Sequence, residues 1–240
     1  MSPRLDRAAA VVSPDGRPES KARLYEEFAQ GGKALANGKR LELLDLLAQG
    51  ERTVESLAGA AGLNLTTVSA NLQILKQAGF VVTRREGVRV HYRLAGEDVA
   101  QLLVLLRKVT AAHNTRVRPA RDEYLSGSAG ATDPPEISRA DLQRRVSEGT
   151  VVLLDVRPAE EFAAGHIPGA RSIPVGELAE RIQELPADTE VVVYCRDEYC
   201  VMAYDALRVL VAAGRRALRL HDGMLEWRLD DLPIERVPTS

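Results

Sequence analysis

The sequence predicts two domains in tandem: a mostly helical α+β domain closed by a two-stranded hairpin, then an α/β domain around a central parallel sheet. Three observations predict this. Hydrophobic spacing is mainly helical up to about residue 117, whereas beyond residue 150 short apolar runs alternate with helix-like stretches. Between these regions, Ser126–Pro135 (SGSAGATDPP) has no hydrophobic period and reads as a linker. Charge divides at the same place. Residues 1–125 carry 19 Lys+Arg against 14 Asp+Glu, and residues 126–240 carry 13 against 20. Only the first half is suited to meet a polyanion. The expected layout is a tail over 1–18, a first domain over 19–125, a linker over 126–135 and a second domain over 136–240.

A chain of 240 residues is long enough for two cores. Aromatics make up only 4% of it, so those cores should be built from Leu, Val and Ala. No apolar run approaches the ~20 residues that span a bilayer. The opening MSPRLDRAAAVVSPDGRP contains acids and prolines and lacks the apolar centre of a signal peptide. The expectation is a cytoplasmic protein with no membrane partner. Two cysteines without a secretion signal fit a reducing compartment, where a nearby pair is more often reactive than structural.

In the first half, residues 19–31 offer a helix with Leu24, Tyr25 and Phe28 on one face. Residues 39–49 form a leucine-dense buried helix that stops at Gly50. Thr53 can cap a short helix over 54–61, Gly62 makes a turn, and Asn64 stands where an N-cap belongs before a helix over 65–78. Gly79 ends that helix. Runs over 80–84 and 89–94 flank Glu86-Gly87 as a hairpin. Asp98 opens a helix to about Val117.

Helix, tight turn, helix and a two-stranded wing make the geometry that places one helix in a DNA major groove. On the 65–78 helix, Val68, Leu72 and Leu75 must point inward, which leaves Thr66, Thr67, Ser69, Ala70, Asn71 and Gln73 outward for base edges. The wing supplies Arg84, Arg85, Arg89 and Arg93 for phosphates.

The stretch LAGAAGLNLTTVSANLQILKQAGFVVTRREGVRVHYRL resembles the winged helix-turn-helix of ArsR/SmtB-family transcriptional repressors, over roughly residues 20–117. The resemblance implies a homodimer formed by the first and last helices of that domain, bound to an inverted-repeat operator in double-stranded DNA. Sensor cysteines of the family's arsenic type fall at the start of the helix before the turn, where this chain reads RTVES. The zinc type needs Asp and His along the last helix, which here offers only Asp98 and His113. No metal site and no cofactor are expected in this domain, so the signal must come from elsewhere.

Both cysteines lie in VYCRDEYCVM, just after an apolar run. Taken alone they are a catalytic thiol with a bystander, a metal or metalloid clamp, or a redox pair. Their surroundings read as strands over 151–154, 190–194 and 217–220, with helices over 139–148, 159–164, 177–184 and 200–213. Function is expected at strand C-termini, where Cys195 stands.

The runs LLDVRPAEEFAAGHIPGARSIP, VVVYCRDEYC and LHDGMLEWRLDDLPIE are together similar to a single rhodanese (sulfurtransferase) domain over about 136–237. The resemblance makes Cys195 the sulfur acceptor and Arg196, Asp197, Glu198, Tyr199, Cys200 and Val201 the cradle loop, its amides turned toward the bound sulfur anion. It gives Asp155 and Arg157 as a structural ion pair and His166 as a loop-ordering residue. A thiol ringed by amides at a helix N-terminus has its thiolate favoured. Two departures stand out. Asp197 and Glu198 occupy the middle of the loop, at on the order of 1 kcal/mol each against an anion. Cys200 is placed to act as a resolving thiol. The expected function is a dimeric DNA-binding regulator that senses a persulfide, polysulfide or thiosulfate through Cys195 and Cys200. Two alternatives remain: a sulfurtransferase enzyme with an accessory DNA-binding domain, and an As(III)/Sb(III)-responsive regulator using the same pair.

Overall fold

The structure is a computed structural model that describes residues 17–126 and 134–237. The first domain holds α1 (Arg17–Leu35), α2 (Gly38–Ala48), β1 (Arg52–Thr53), α3 (Val54–Ala61), α4 (Leu65–Gln77), β2 (Val81–Glu86), β3 (Arg89–Leu94) and α5 (Glu97–His113). Its turn chemistry is the one expected from sequence. Thr53 accepts the Ser56 amide and Asn64 the Thr67 amide, and Gly62 closes α3 in the left-handed region at φ 61°. β2 and β3 pair antiparallel, with Glu86 opposite Arg89 across the two-residue turn Gly87-Val88. The short β1 adds a third strand against β3, an element the sequence pattern did not indicate. Leu43, Leu44, Leu57, Val68, Leu72 and Leu75 fill the core beneath α4.

One expected helix is two. The run from Asp98 to Val117 ends at His113, because Asn114 takes an extended conformation, and α6 (Val117–Ser126) starts in a new direction. α6 leans on the second domain: Leu125 is buried, Arg121 donates to the Tyr204 hydroxyl, and Arg208 donates to the Leu125 carbonyl. Most of the expected linker, residues 127–133, lies outside the described residues, as does most of the expected tail.

The second domain contains β4 (Glu136–Ile137), α7 (Arg139–Ser147), β5 (Val151–Asp155), α8 (Ala159–Ala164), β6 (Arg171–Ser172), α9 (Leu178–Arg181), β7 (Glu190–Tyr194), α10 (Val201–Ala212), β8 (Ala217–Leu220) and α11 (Met224–Leu229). Its five strands are all parallel, in the order β4-β8-β7-β5-β6. β7 lies at the centre, and Val191, Val192 and Val193 are fully buried on both faces, as central parallel strands require. The cysteine loop therefore springs from the C-terminal end of the most protected strand.

The two domains pack on each other directly. Leu225 of α11 is fully buried against Ala48 of α2 and Ala100 of α5. A Cβ on Gly50 would come within 3.1 Å of the Ala164 Cβ, so the backbone at Gly50 lies close to α8. Truncating Leu225 removes the apolar centre of this contact. Leu225→Ala should cost about 2–5 kcal/mol and split urea unfolding, followed by tryptophan fluorescence and far-UV circular dichroism, into separate transitions for the two domains.

Candidate functional site: the cysteine loop and the domain interface

Cys195 directly follows β7 and Cys200 stands at the N-cap of α10, and the structure joins them by a disulfide with Cα atoms 6.1 Å apart. The five-residue step between them curls tightly enough to bring the Cα atoms within the distance a disulfide spans. Cys195 is 1% exposed and Cys200 7%.

The loop is not the open anion cradle that the sequence led us to expect. The Tyr199 amide donates to Asp197 Oδ1 at 2.8 Å, and the Cys200 amide donates to the Asp197 carbonyl at 3.3 Å. Two of the amides expected to face an anion are therefore used inside the loop. The two charged residues after Cys195 turn outward. Arg196 reaches Glu161 on α8, with its Nη2 donating at 2.5 Å. Asp197 is buried, and its Oδ2 accepts from Arg107 of α5 at 2.6 Å. Asp197 is thus paired with a guanidinium rather than left as a free charge in the loop. The Tyr199 phenol is pushed up to about 12 by burial and by its hydrogen bond to Glu198. A Cβ on Gly223 would overlap the backbone of Arg196 and Asp197, so this position admits only glycine without the loop shifting. The amides of Met224 and Leu225, at the start of α11, donate to the carbonyls of Cys195 and Arg196 at 2.9 and 3.0 Å.

Arg107 ties this loop to the first domain. While Nη1 holds Asp197, Nη2 lies 2.9 Å from Asp45 of α2. A second charged cluster runs beside it. Arg52, buried at the start of β1, donates to Glu160 and Glu161 at 2.6 Å each, and Glu161 is shared with Arg196. Arg157 donates to Gln49 Oε1 at 3.2 Å, and Arg228 donates to the Ala48 carbonyl at 2.6 Å. Sequence reasoning did not single out Asp45, Gln49, Arg52, Arg107 or Glu161. The available signal was a charge inside an apolar pattern: Asp45 within LELLDLLA and Arg107 within LLVLLRKV. Such charges are retained in buried positions when they are paired.

The remaining expected residues are placed as follows. Arg157 and Asp155 are fully buried and paired through Nη2 and Oδ2 at 2.6 Å, and Arg157 also donates to the Gly165 carbonyl. His166 Nδ1 lies 2.9 Å from the Phe162 carbonyl and its ring stacks on Phe162 at 3.7 Å. His166 also exchanges backbone hydrogen bonds with Glu235. Both environments are those of structural residues. On α4, Thr66, Ala70 and Gln73 are exposed while Thr67, Ser69 and Asn71 are half-buried. Asn71 donates to the Thr67 carbonyl and Gln73 to the Tyr92 hydroxyl.

The strand pleat divides the wing. Arg84 pairs with His91 across the ladder, so Arg84, Arg89 and Arg93 share one face, and Arg85 falls on the other with Thr83 and Tyr92, next to α4. Arg84 is further engaged by Glu51 and Glu86, with contacts of 3.0 and 2.8 Å. Of the four wing arginines expected to meet phosphates, Arg85 alone lies on the α4 side.

A winged helix-turn-helix domain carrying a rhodanese-like domain defines a two-domain transcriptional regulator. The chain belongs to the arsR family of bacterial regulatory proteins, whose family description it matches over residues 37–83, with a rhodanese-like domain matched over 138–230. It is 54% identical over 220 residues to the HTH-type transcriptional regulator Rv0324 of Mycobacterium tuberculosis, covering 92% of this chain and 95% of that one. Its second domain is 36% identical over 101 residues to a sulfurtransferase of Allochromatium vinosum, covering 41% of this chain and 92% of that protein. Among solved structures, the homodimeric winged helix-turn-helix DNA-binding domain of a possible ArsR-family regulator from Mycobacterium bovis is 52% identical. It covers 48% of this chain and 95% of that one, with a TM-score of 0.38. Among the described residues, no helix is long and apolar enough to cross a membrane.

Two acids at the interface give the protein a pH signature. Burial, and then the charge of Asp197, push Asp45 up to about 7 despite the opposing Arg107 guanidinium. Glu226 is likewise pushed up to about 7, by burial and then by Asp197. Between about pH 4 and 7 the folded protein keeps protons that the unfolded chain has released, so stability falls as pH rises and levels off above 7. The slope is up to about 1.4 kcal/mol per pH unit for each such proton. Urea unfolding at pH 5, 6, 7 and 8 should show this decline, and Asp45→Asn should reduce its slope by about half.

Proposed function

We propose that the protein is a homodimeric, operator-binding repressor whose rhodanese-like domain senses reactive sulfur through Cys195 and Cys200. The observation that carries the proposal is the placement of the chain's two cysteines in one loop whose Asp197 is paired with Arg107 of the winged-helix domain. A chemical change at the loop is thereby in contact with the DNA-binding half.

The first step transfers sulfur. The Cys195 thiolate attacks the outer sulfur of a low-molecular-weight persulfide, forms Cys195–S–SH, and releases the donor's thiolate. In the second step the Cys200 thiolate attacks the inner sulfur at Cys195. Hydrosulfide leaves with the bonding electron pair, and the disulfide present in the structure remains. The position of Cys200 at the N-terminus of the 12-residue α10 supports its ionisation.

α5 is the element through which we propose the signal passes. One face carries Leu102, Leu105 and Val109, which are 39–56% exposed, and α1 exposes Leu24, Tyr25 and Phe28. These faces are the proposed contact with the second protomer. The opposite face of α5 carries Ala100 and Arg107 against the rhodanese-like domain. A shift in the cysteine loop would thus move the helix that sets the spacing of the two recognition helices in the operator. For DNA contact we propose Thr66, Thr67, Ser69, Ala70, Asn71 and Gln73 of α4 at base edges and Arg85 at phosphate, with Arg84, Arg89 and Arg93 more distant.

Gel shifts with a selected operator duplex test the proposal. Polysulfide should change the affinity of the wild-type protein at least fivefold, and both Cys195→Ser and Cys200→Ser should abolish the change while still binding DNA. Full responsiveness in Cys195→Ser would contradict the proposal. Steady sulfur transfer to thiols that survives in Cys200→Ser, without DNA affinity, would favour an enzyme instead.

A further inference from the structure

A disulfide sensor needs a reductant before it can respond again, and that reductant must reach one of the two sulfurs. We infer that the cleft between the domains is a binding site for a low-molecular-weight thiol, and that this thiol attacks Cys200 rather than Cys195. The inference rests on the reading of the cysteine pair as a cycling sensor and extends it to the reagent that reopens the disulfide.

The cleft holds about 590 Å³, within the range of small-ligand sites. α2, α3, α5 and α6 of the first domain wall one side, and the cysteine loop with the start of α10 walls the other. Cys200 lines it and Cys195 does not. Both cysteines pack in the core with Leu154, Val156 and Ile173, but Cys195 is 1% exposed with its carbonyl held by the Met224 amide, whereas Cys200 is 7% exposed and borders the cleft. A thiolate displaces one sulfur of a disulfide by approaching the other from outside, so access decides which sulfur is attacked.

The helix N-terminus at Cys200 works in the other direction, because it favours Cys200 as the departing thiolate. That effect is worth about 0.3–1 kcal/mol, a few-fold in rate. An inaccessible sulfur loses far more, and access prevails. The balanced cycle is then as follows. The external thiolate bonds to Cys200 and Cys195 leaves as thiolate. A second external thiolate attacks the small thiol's own sulfur, which frees the Cys200 thiolate and releases the small molecule as its disulfide.

The walls also indicate which thiol fits. Arg107 is committed to Asp45 and Asp197, and Arg196 to Glu161. Glu42 of α2 is exposed at the cleft. The uncommitted charge is negative, so an aminothiol with a free ammonium group should be preferred over a thiol carrying a carboxylate. Interactions on the order of 1 kcal/mol at a solvated surface correspond to about fivefold.

The test uses the full-length oxidised protein with cysteamine and 3-mercaptopropionate as probes. After brief reaction and acid quenching, N-ethylmaleimide labelling and peptide mapping should find cysteamine on Cys200 and maleimide on Cys195. Reduction rates should favour cysteamine about fivefold relative to a small model disulfide, and Glu42→Gln should erase that preference. Ala60→Trp, at an exposed position on the cleft wall, should slow reduction at least fivefold without changing urea stability. Cysteamine mapped to Cys195 would overturn the inference. So would unchanged rates in both variants, which decides the matter even where the mixed disulfide is too short-lived to map. DNA binding is not read in these experiments. If the thiol maps to Cys200 but operator affinity ignores the cysteines, the sensor reading fails and the cleft site stands; the converse result fails the cleft site alone.

Discussion

One guanidinium, that of Arg107, links the parts of this molecule that act. It reaches from the middle of α5 to Asp197 in the cysteine loop and to Asp45 in α2. Two carboxylates share one cation, and burial, followed by the charge of Asp197, raises Asp45 to about 7. Breaking a buried pair by removing one partner leaves an uncompensated charge, at a cost of about 3–5 kcal/mol. The loop, α5 and α2 are thereby held in one arrangement, and a chemical step that moves Asp197 has to be answered by the other two.

Around this bridge the interface is built for close approach. Gly50 faces Ala164, Gly223 admits the backbone of Arg196 and Asp197, and Leu225 lies between Ala48 and Ala100. Arg52 and Arg196 converge on Glu161, so the residue after Cys195 is also tied to β1, just ahead of the helix-turn-helix. Of the charged residues in this loop, Asp197 is paired with the neighbouring domain directly and Arg196 is tied to it through Glu161. The chemistry of these two side chains is that of a contact between domains.

Much of this fold was legible because local rules agreed with tertiary need. Asn64 and Thr53 cap the helices they precede, Gly62 and Gly87 take positive φ where turns require it, and the valines of β7 form the buried central strand. The break at Asn114 was missed, since only Ala111 and Ala112 are apolar between Val109 and Val117 and no period marks where the helix ends. β1, β4 and β6, each two residues long, leave no periodic trace. At the site, both cysteines and the Asp155–Arg157 pair were visible in the sequence, but the direction of the loop side chains was not. Asp197 and Arg107 are 90 residues apart in the chain, and only the docking of two folded domains brings them together. The division of the wing arginines likewise follows from pleat and register, which a count of positive charges does not contain.

The most direct test of this account is a thermodynamic cycle on operator affinity. Dissociation constants are measured for the reduced and disulfide forms of the wild type and of Arg107→Gln, with disulfide formation in each verified by mass spectrometry. The account predicts that the two wild-type forms differ at least fivefold, a coupling of about 1 kcal/mol or more, and that the two forms of Arg107→Gln bind equally although the disulfide still closes. An undiminished difference in Arg107→Gln would show that the cysteines reach DNA by another route and would contradict it.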